Sequence, residues 1–372
     1  MAFMPGPILY RHQQFWERRP ADRPLLGINV GFTLQETFRR TMARISDGPL
    51  KPEDIPLDEF LQDCDALAVA QEGLGDYPYV AAPFVGVPWL EAVAGCPIAA
   101  SRNSFWAEAC VNDWRSWRWP ESYLDSPWAR KLLELMEALA AHAAGRYQAA
   151  PTLMRGPSDI LAAMRGGAAF VMELMDQPEI VQPAIHEVAR LWSDVARAQL
   201  ARIPPSTEGY IAGAAALRTW APDKVLWLQE DAMALLSPKL YRRHFLAVDR
   251  ELSGSFPCVA FHLHGSALWA VDDVVQLPGV AVCELNLEDA RCDVEGTFEG
   301  WRKIQQHKPT VMWRMYGPDF EAWLNRVLTE FSAAGLSVQV STQDRGEAQT
   351  AQAIFARAIE KANQGQAREG AL

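Results

Sequence analysis

The chain has 372 residues, of which 49% are apolar and 22% are charged, and its formal net charge is −11. These values are ordinary for a globular protein with a large core, and the length suits one large α/β barrel or two medium domains. The acidic balance argues against a nucleic-acid binder, since affinity for phosphate backbones requires clustered Lys and Arg.

The number and spacing of the cysteines and the residues at the start of the chain indicate the cellular compartment of the protein. The six cysteines include no Cys-x-x-Cys pair and are too few for a disulfide scaffold in a chain of this length. Charged residues from Arg11 onward argue against a secretory signal. The sequence contains no run of about 18 apolar residues, so it predicts no membrane span. We therefore expect a cytoplasmic protein with reduced thiols and no membrane association. The cysteines are Cys64, Cys96, Cys110, Cys258, Cys283 and Cys292.

Short apolar segments recur along the whole chain and predict eight strands. From the third segment onward each is followed by a helix-patterned stretch, which is typical of parallel β/α units. Near-continuous apolar runs also fit strands that are covered on both faces. The sequence therefore predicts an α/β fold, a (β/α)8 TIM barrel that spans residues 1–372 as a single domain. The predicted strands are 23–32, 65–70, 151–155, 223–231, 257–265, 279–286, 308–317 and 335–342.

A long segment rich in Pro, Gly and Trp separates the second and third predicted strands. It ends in an amphipathic helix near residues 127–145, so we expect 71–150 to be a loop and helical insertion packed on the barrel. Further long helices are predicted at 178–203 and 345–363, and the tail 365–372 is predicted to be flexible.

Polar side chains cluster where the predicted strands end. Active sites of (β/α)8 barrels lie at the C-terminal ends of the strands, so this clustering predicts an enzyme that acts on a small-molecule substrate. The absence of G-x-G-x-x-G, P-loop and G-x-S-x-G motifs leaves nucleotide-dependent and serine-hydrolase mechanisms without support. The residues assigned to substrate binding are Asn29, Asp76, Tyr77, Arg155, Arg314 and Tyr316.

His262 and His264 are the sharpest local feature. Residues i and i+2 of a strand point to the same face, so both imidazoles can converge on one metal ion. Imidazole suits zinc and similar metals, and Cys283 or Glu284 on the next strand can complete the ligand shell. The alternative is that one histidine hydrogen-bonds a neighbouring strand end while the other meets substrate.

Two acids and two arginines have alternative roles. Glu230 and Asp231 are predicted to be catalytic, as an acid, a base or a metal ligand. Alternatively, they cap the helix that begins near Ser237. Arg155 and Arg314 either clamp a substrate carboxylate in bidentate fashion or pair with these acids.

Four segments resemble the uroporphyrinogen decarboxylase superfamily, which also includes methyltransferases that act with corrinoid proteins. The segments are GVPWLEAVAGCPI, LMRGPSDILAAMRGG, LQEDAMALLSPKLYRRHFL and FHLHGSALWAVDDV. The first of them resembles an uncharacterised bacterial branch of the superfamily. The resemblance implies a (β/α)8 barrel and suggests a homodimer.

The sequence departs from the decarboxylases of this superfamily. Their arginine-rich element after the first strand binds tetrapyrrole carboxylates, whereas the corresponding segment here, GINVGF, holds no arginine. Asp231 stands where their strand-four motif has a serine. Losing several charge-assisted hydrogen bonds, each worth roughly 1.5–3 kcal/mol, argues against the heme-pathway reaction.

The corrinoid-linked methyltransferases bind zinc through a His-x-Cys element and a later cysteine. His262 falls on their histidine and His264 on their first cysteine, while Cys283 or Glu284 would replace the missing later cysteine. The resemblance therefore implies a metal-dependent methyltransferase-like enzyme that uses zinc or a similar divalent metal. A corrinoid (cobalamin) protein would be its methyl-carrying partner.

Two alternatives stay open at this point. One is a metal-free decarboxylase or lyase acting on a small carboxylate, in which His262 and His264 donate protons and the arginines hold the acid. The other is a non-catalytic barrel that binds a tetrapyrrole or corrinoid.

Overall fold

The structure is a computed structural model that describes residues 4–84, 86–206, 208–213, 218–287 and 293–369, with side chains described to residue 364. Cys292 lies outside these residues. The strands are β1 (Leu25–Val30), β2 (Gly48–Leu50), β3 (Val80–Ala81), β4 (Ile98–Ser101), β5 (Ser104–Ala107), β6 (Gln148–Ala149), β7 (Tyr210–Ile211), β8 (Trp220–Ala221), β9 (Val225–Gln229), β10 (Cys258–Leu263), β11 (Val280–Leu287), β12 (Thr310–Met315) and β13 (Leu336–Thr342).

Helices alternate with the strands through most of the described chain. The helices are α1 (Gly6–Trp16), α2 (Leu34–Thr37), α3 (Arg39–Met42), α4 (Leu57–Gln71), α5 (Trp89–Ala94), α6 (Pro127–Ala143), α7 (Pro157–Arg165), α8 (Gly167–Asp176), α9 (Pro178–Leu200), α10 (Pro238–His244), α11 (Leu246–Gly254), α12 (Val271–Val274), α13 (Val294–His307), α14 (Phe320–Glu330) and α15 (Arg345–Glu369). None of the described helices has the length and apolarity that crossing a membrane requires.

A six-stranded parallel sheet forms the centre of the molecule, in the order β1-β13-β12-β11-β10-β9. Its strands correspond to the first and the fourth to eighth predicted strands, and the predicted α/β class is confirmed. Asn29 pairs with Ser341 in register, and His262 pairs with Gln229 on one side and Glu284 on the other. Because all six strands are parallel, these residues gather at one edge of the sheet, the carboxyl edge.

The predicted strand at residues 65–70 is wrong, because this segment belongs to helix α4. The buried residues of the helix, Phe60, Cys64 and Gln71 among them, recur at helical rather than alternating spacing. A short apolar run does not distinguish a strand from part of a longer helix, and alanine favours the helix.

The predicted strand at residues 151–155 also differs from the structure. The described strand nearest to it is β6, and Arg155 forms only an isolated parallel bridge with Gln229. Pro151 has no N–H to donate, which removes one ladder hydrogen bond from this segment.

Further contacts link the two outer strands of the central sheet. The Asp76 N–H donates to the Leu26 carbonyl of β1 at 2.7 Å. Strand β3, which follows Asp76, pairs in parallel with β6. After β6, the bridge between Arg155 and Gln229 reaches β9. A chain of contacts therefore runs from β1 to β9 through β3 and β6.

The long helices lie close to their predicted positions. Helix α6 begins at the N-cap Ser126, whose hydroxyl accepts from the Trp128 N–H. The segment between residues 71 and 150 also carries α5 and the β4–β5 hairpin, which pairs with β2. Helix α15 runs on to Glu369, and residues 370–372 lie outside the described chain. A flexible tail therefore stays a prediction.

Candidate active site

A cavity of about 450 Å³ lies at the carboxyl edge of the central sheet. Residues at the ends of β1, β9, β10, β11 and β13 line it, because parallel strands bring these ends together. Asn29, Asp231, His262, His264 and Glu284 all line it, so the structure brings these five predicted site residues together.

Asp231, His262 and His264 form a compact group of potential ligand atoms. One nitrogen or oxygen atom from each of the three lies within 4.8 Å of those from the other two. Asp231 Oδ1 is 3.0 Å from His264 Nε2 and 3.9 Å from His262 Nε2. The two imidazole rings are perpendicular, with centroids 4.5 Å apart. One carboxylate oxygen therefore faces both imidazoles.

Neighbouring polar side chains orient this group. His262 Nδ1 donates to the buried carboxylate of Glu284, which leaves Nε2 directed toward Asp231. Gln229 Nε2 donates to the other oxygen of Asp231. The side-chain amide of Asn286 lies 3.3 Å from His264 Nδ1. Such partners set the ring orientation and nitrogen protonation of metal-binding histidines.

Tryptophans form part of the cavity wall beside the histidines. Trp227 stacks on His262 with ring centroids 5.2 Å apart, and its indole N–H donates to Gln229 at 3.2 Å. Trp313 donates to the Ser341 hydroxyl at 3.0 Å. Trp227 therefore shields one face of His262 from water, and each indole N–H holds a polar neighbour in place.

The pKa of Asp231 lies below its ordinary value. Burial by itself would raise it, but the hydrogen bond with His264 and the charges of His262 and His264 have the larger combined effect. The carboxylate is therefore ionised at neutral pH, as a metal ligand or a general base must be.

The three side chains fit a divalent metal ion. Two imidazole nitrogens and one carboxylate oxygen leave a coordination position open, as in catalytic zinc sites. Because no thiolate takes part, other metals that prefer nitrogen and oxygen ligands suit the group as well. Asp231, His262 and His264 could hold such an ion. Glu284 would affect the ion only indirectly, because it orients the ring of His262.

Cys283 lies apart from this group although it precedes Glu284 in the same strand. Successive strand residues point to opposite faces, so Cys283 enters the hydrophobic core when Glu284 enters the cavity. Burial raises the pKa of its thiol to about 12. The structure therefore does not bring the predicted ligand Cys283 to the histidines.

Glu230 also points away from the cavity. Its carboxylate accepts from the N–H and hydroxyl of Ser158 in the first turn of α7. Burial, with the charges of Asp249 and Asp159, raises its pKa well above the ordinary value. Glu230 thus stabilises the N-terminus of α7. The sequence had suggested instead that it caps the helix that begins near Ser237.

The predicted substrate contacts Arg155, Arg314 and Tyr316 do not line the cavity. Arg155 pairs with Glu91 at 3.0 Å, and Arg314 pairs with Asp319 at 2.7 Å. Tyr316 packs on α14. Both guanidinium groups therefore have protein carboxylates as partners.

Asp76 and Tyr77 lie at the opposite, amino edge of the sheet. Asp76 forms a bidentate pair with Arg23, at 2.6 and 2.7 Å, and accepts from the Leu26 N–H. The Tyr77 hydroxyl is 2.5 Å from that of Ser337, near the start of β13. Both residues precede β3 and follow helix α4, whereas the predicted strand at 65–70 would have placed them at a strand end.

Several residues that line the cavity were not predicted from the sequence, and those with a polar group include Trp227, Gln229, Trp313 and Arg218. Gln229 could have been found, because it immediately precedes Glu230 and Asp231 at the end of a predicted strand. Arg218 carries the weaker signal of a single cation after the Gly- and Ala-rich stretch AGAAAL. No local pattern indicates that its side chain enters the cavity.

Comparisons with known proteins support the fold. No family model matches the sequence, and no curated protein matches it. Among solved structures, the chain is similar to a methyltransferase from Methanosarcina mazei, with a TM-score of 0.65 and 13% sequence identity. The match covers 95% of this chain and 98% of that one. This likeness shows a shared fold over almost the whole length of both proteins.

Proposed function

We propose that this protein is a metal-dependent methyltransferase-like enzyme whose active site is the cavity at the carboxyl edge of the sheet. The observation that carries the proposal is the group formed by Asp231, His262 and His264. Its position at the strand ends is where barrel enzymes place their catalytic residues. The fold shared with a methyltransferase supports the reaction class by analogy.

We infer that the sheet closes into a (β/α)8 barrel. The six-stranded ladder runs from β1 to β9, and the contacts through β3 and β6 link the same two strands on the remaining side. Together these would be eight parallel strands in one ring. Such closure would surround the cavity with strand ends and leave no exposed sheet edge.

Within the proposed site, each side chain has a distinct task. Asp231, His262 and His264 would hold zinc or a similar divalent ion, which supplies Lewis-acid activation of a thiol acceptor or a methyl donor when bound. Glu284 keeps the Nδ1 proton on His262. Trp227 shields the imidazole from water. The methyl carrier would be a corrinoid protein, as the sequence resemblance implies.

A metal-free lyase acting on a small carboxylate is the second candidate. The observation that favours it is the 3.0 Å contact between Asp231 Oδ1 and His264 Nε2, which suits proton transfer without a metal. In this case His264 would donate a proton that Asp231 helps to retain. Metal content separates the two candidates.

The proposal is tested by metal analysis of purified protein after incubation with zinc under reducing conditions. We expect about one bound ion per chain in the wild type and none in His262→Ala/His264→Ala, because two of the three ligands are gone. The matched control is His186→Ala/His307→Ala, which removes two exposed histidines outside the cavity and should keep the ion.

Two results would overturn the proposal. One is a wild-type protein that binds no metal, and the other is an ion retained equally by both double variants. A metal-free wild type that decarboxylates small acids, and loses this activity in His264→Ala, would instead establish the lyase.

A further inference from the structure

Arg218 lines the same cavity, and its charge is not balanced by any described side chain. It is partly buried, and its guanidinium lies 5.9 Å from the centroid of the Tyr79 ring. Among the residues that the structure describes, no carboxylate pairs with it and no hydrogen bond reaches it. Burial lowers its pKa, yet an arginine keeps its charge at any physiological pH.

Other buried or partly buried arginines among the described residues have protein partners. Arg23 pairs with Asp76, Arg155 with Glu91, and Arg314 with Asp319. Removing a charge from water is unfavourable unless a counter-charge compensates it. A cation in the cavity without such a partner is therefore suited to pair with an anionic group of a bound ligand.

The position of Arg218 indicates how such a ligand would lie. Its neighbours Cys64 and Tyr79 belong to α4 and the segment leading into β3. The group of Asp231 and the two histidines lies instead at the ends of β9 and β10. Apolar side chains such as Phe38, Leu67 and Val80 line the same cavity. The cavity thus combines a cation, an apolar wall and the proposed reaction centre.

We propose that Arg218 anchors the carboxylate of a small substrate whose apolar body lies in the cavity and whose reacting group meets Asp231, His262 and His264. The guanidinium presents paired N–H groups that match a carboxylate in bidentate geometry. This inference rests on the proposed function, since it takes the cavity as the active site. It also replaces Arg155 and Arg314 as the carboxylate anchor.

The test compares matched acid and amide ligands, namely phenylacetate with phenylacetamide, hexanoate with hexanamide, and indole-3-acetate with its amide. Binding is followed by quenching of tryptophan fluorescence, because Trp227 and Trp313 line the cavity. We expect at least one acid to bind the wild type about tenfold or more tightly than its amide, the range of one charge-assisted hydrogen bond. Arg218→Gln should abolish this preference, and Arg218→Lys should restore part of it.

Two controls make the test specific. Arg155→Gln removes an arginine that pairs with Glu91 outside the cavity, so it should keep the acid preference. His262→Ala/His264→Ala should lose metal but keep the preference, which separates failure of the anchor from failure of the metal site. The inference is overturned if no acid is preferred over its amide, or if Arg218→Gln retains the preference.

A second inference comes independently from two thiols outside the cavity. Cys96 Sγ and Cys110 Sγ are 3.7 Å apart. They flank the open end of the β4–β5 hairpin, whose pairing extends through a 2.8 Å hydrogen bond from Glu108 N–H to the Pro97 carbonyl. The hairpin therefore holds the two sulfurs together. Cys96 is buried, and Cys110 is partly exposed.

We infer that Cys96 and Cys110 form a reversible disulfide with a small-molecule disulfide such as oxidised glutathione. The Cys110 thiolate would attack one glutathione sulfur and release the first glutathione as a thiol. The Cys96 sulfur would then displace the second, so two protein thiols are oxidised and two glutathione thiols are formed. The hydrogen bond from Cys96 lowers the pKa of Cys110, which favours it as the attacking sulfur.

Peptide mass spectrometry after incubation in glutathione buffers of increasing oxidised fraction tests this inference. We expect a linked Cys96–Cys110 peptide pair that disappears with dithiothreitol. Cys96→Ser should instead leave glutathione attached to Cys110, while the control Cys258→Ser should form the link normally. Complete alkylation of both thiols in the most oxidising buffer would contradict the inference, as would a Cys96→Ser variant in which Cys110 carries no glutathione.

Discussion

At the scale of single residues, Glu284 determines which nitrogen of His262 faces the cavity. Its buried carboxylate accepts the Nδ1 proton, so Nε2 is free to bind a metal. Glu284→Gln keeps the size of the side chain but removes the charge. We expect metal affinity to fall about 10- to 100-fold, as with other partners of ligating histidines. Competition with a chelator measures this affinity.

The control for this prediction is Glu91→Gln, which neutralises another buried acid that pairs with Arg155 outside the cavity. It should leave metal affinity unchanged. If Glu284→Gln bound metal as tightly as the wild type, the orientation of His262 would not depend on Glu284.

His12 makes stability depend on pH. It is fully buried, and Nε2 donates to the Asp76 carbonyl at 3.0 Å. Burial lowers its pKa from 6.5 to about 4, so the unfolded chain takes up this proton first as the pH falls. Its contribution to stability is therefore complete above about pH 6.5 and is lost between that pH and about 4, by about 3 kcal/mol in total.

Urea unfolding at several pH values measures this effect. The unfolding free energy of the wild type should decrease toward pH 4 more steeply than that of His12→Gln, which has no titrating group at this position. Parallel pH dependences in the two proteins would contradict the assigned pKa shift.

At the scale of elements, the turn between Arg155 and α7 shows how a strand end is packed against the next helix. A Cβ atom at Gly156 would overlap the carboxylate of Glu230, which holds the Ser158 N–H of the first helical turn. We expect Gly156→Ala to lower the free energy of unfolding by about 2 kcal/mol, a usual value for overpacking. The urea midpoint measures this change.

Gly254→Ala provides the matched control in α11. The nearest atom to its added Cβ would be Pro278 Cγ at 3.6 Å, an ordinary contact. Alanine is also favoured over glycine in helices, so this variant should be unchanged or slightly more stable. Equal stability losses in the two variants would show that steric overlap with Glu230 is not the cause.

At the scale of the whole molecule, Asp76 connects the first strand to the segment that leads into β3. It pairs with the largely buried Arg23 and accepts from the Leu26 N–H. Breaking a buried ion pair by removing one partner is strongly destabilising, so we expect Asp76→Ala to lower stability by about 3 kcal/mol. Metal content should be unchanged, because Asp76 lies at the edge of the sheet away from the cavity.

Asp22→Ala is the comparison for Asp76→Ala, since Asp22 pairs with Arg11 while 65% of its side chain is exposed. A surface pair of this kind contributes at most about 1 kcal/mol. Loss of metal from Asp76→Ala with unchanged stability would instead place Asp76 in the active site, as predicted from the sequence.

Local sequence patterns predict all six strands of the central sheet and place His262 and His264 on a shared face. These follow from local periodicity, since apolar runs mark buried strands and residues two apart share a face. The reliance on short sequence windows also explains the error at residues 65–70. This short apolar run lies within α4, and on its own it does not indicate the longer helix.

Which polar side chains line the cavity depends on long-range contacts in the folded chain. Glu230 and Cys283 adjoin cavity residues in sequence. Alternation along β11 turns Cys283 into the core, and Glu230, which follows β9, is held by Ser158 of α7. Arg155 and Arg314 have carboxylate partners, whereas Arg218 faces the cavity from a segment without a distinctive pattern. Residues far apart in sequence determine which ion pairs form and which face of a strand packs on the core. No local pattern therefore predicts them.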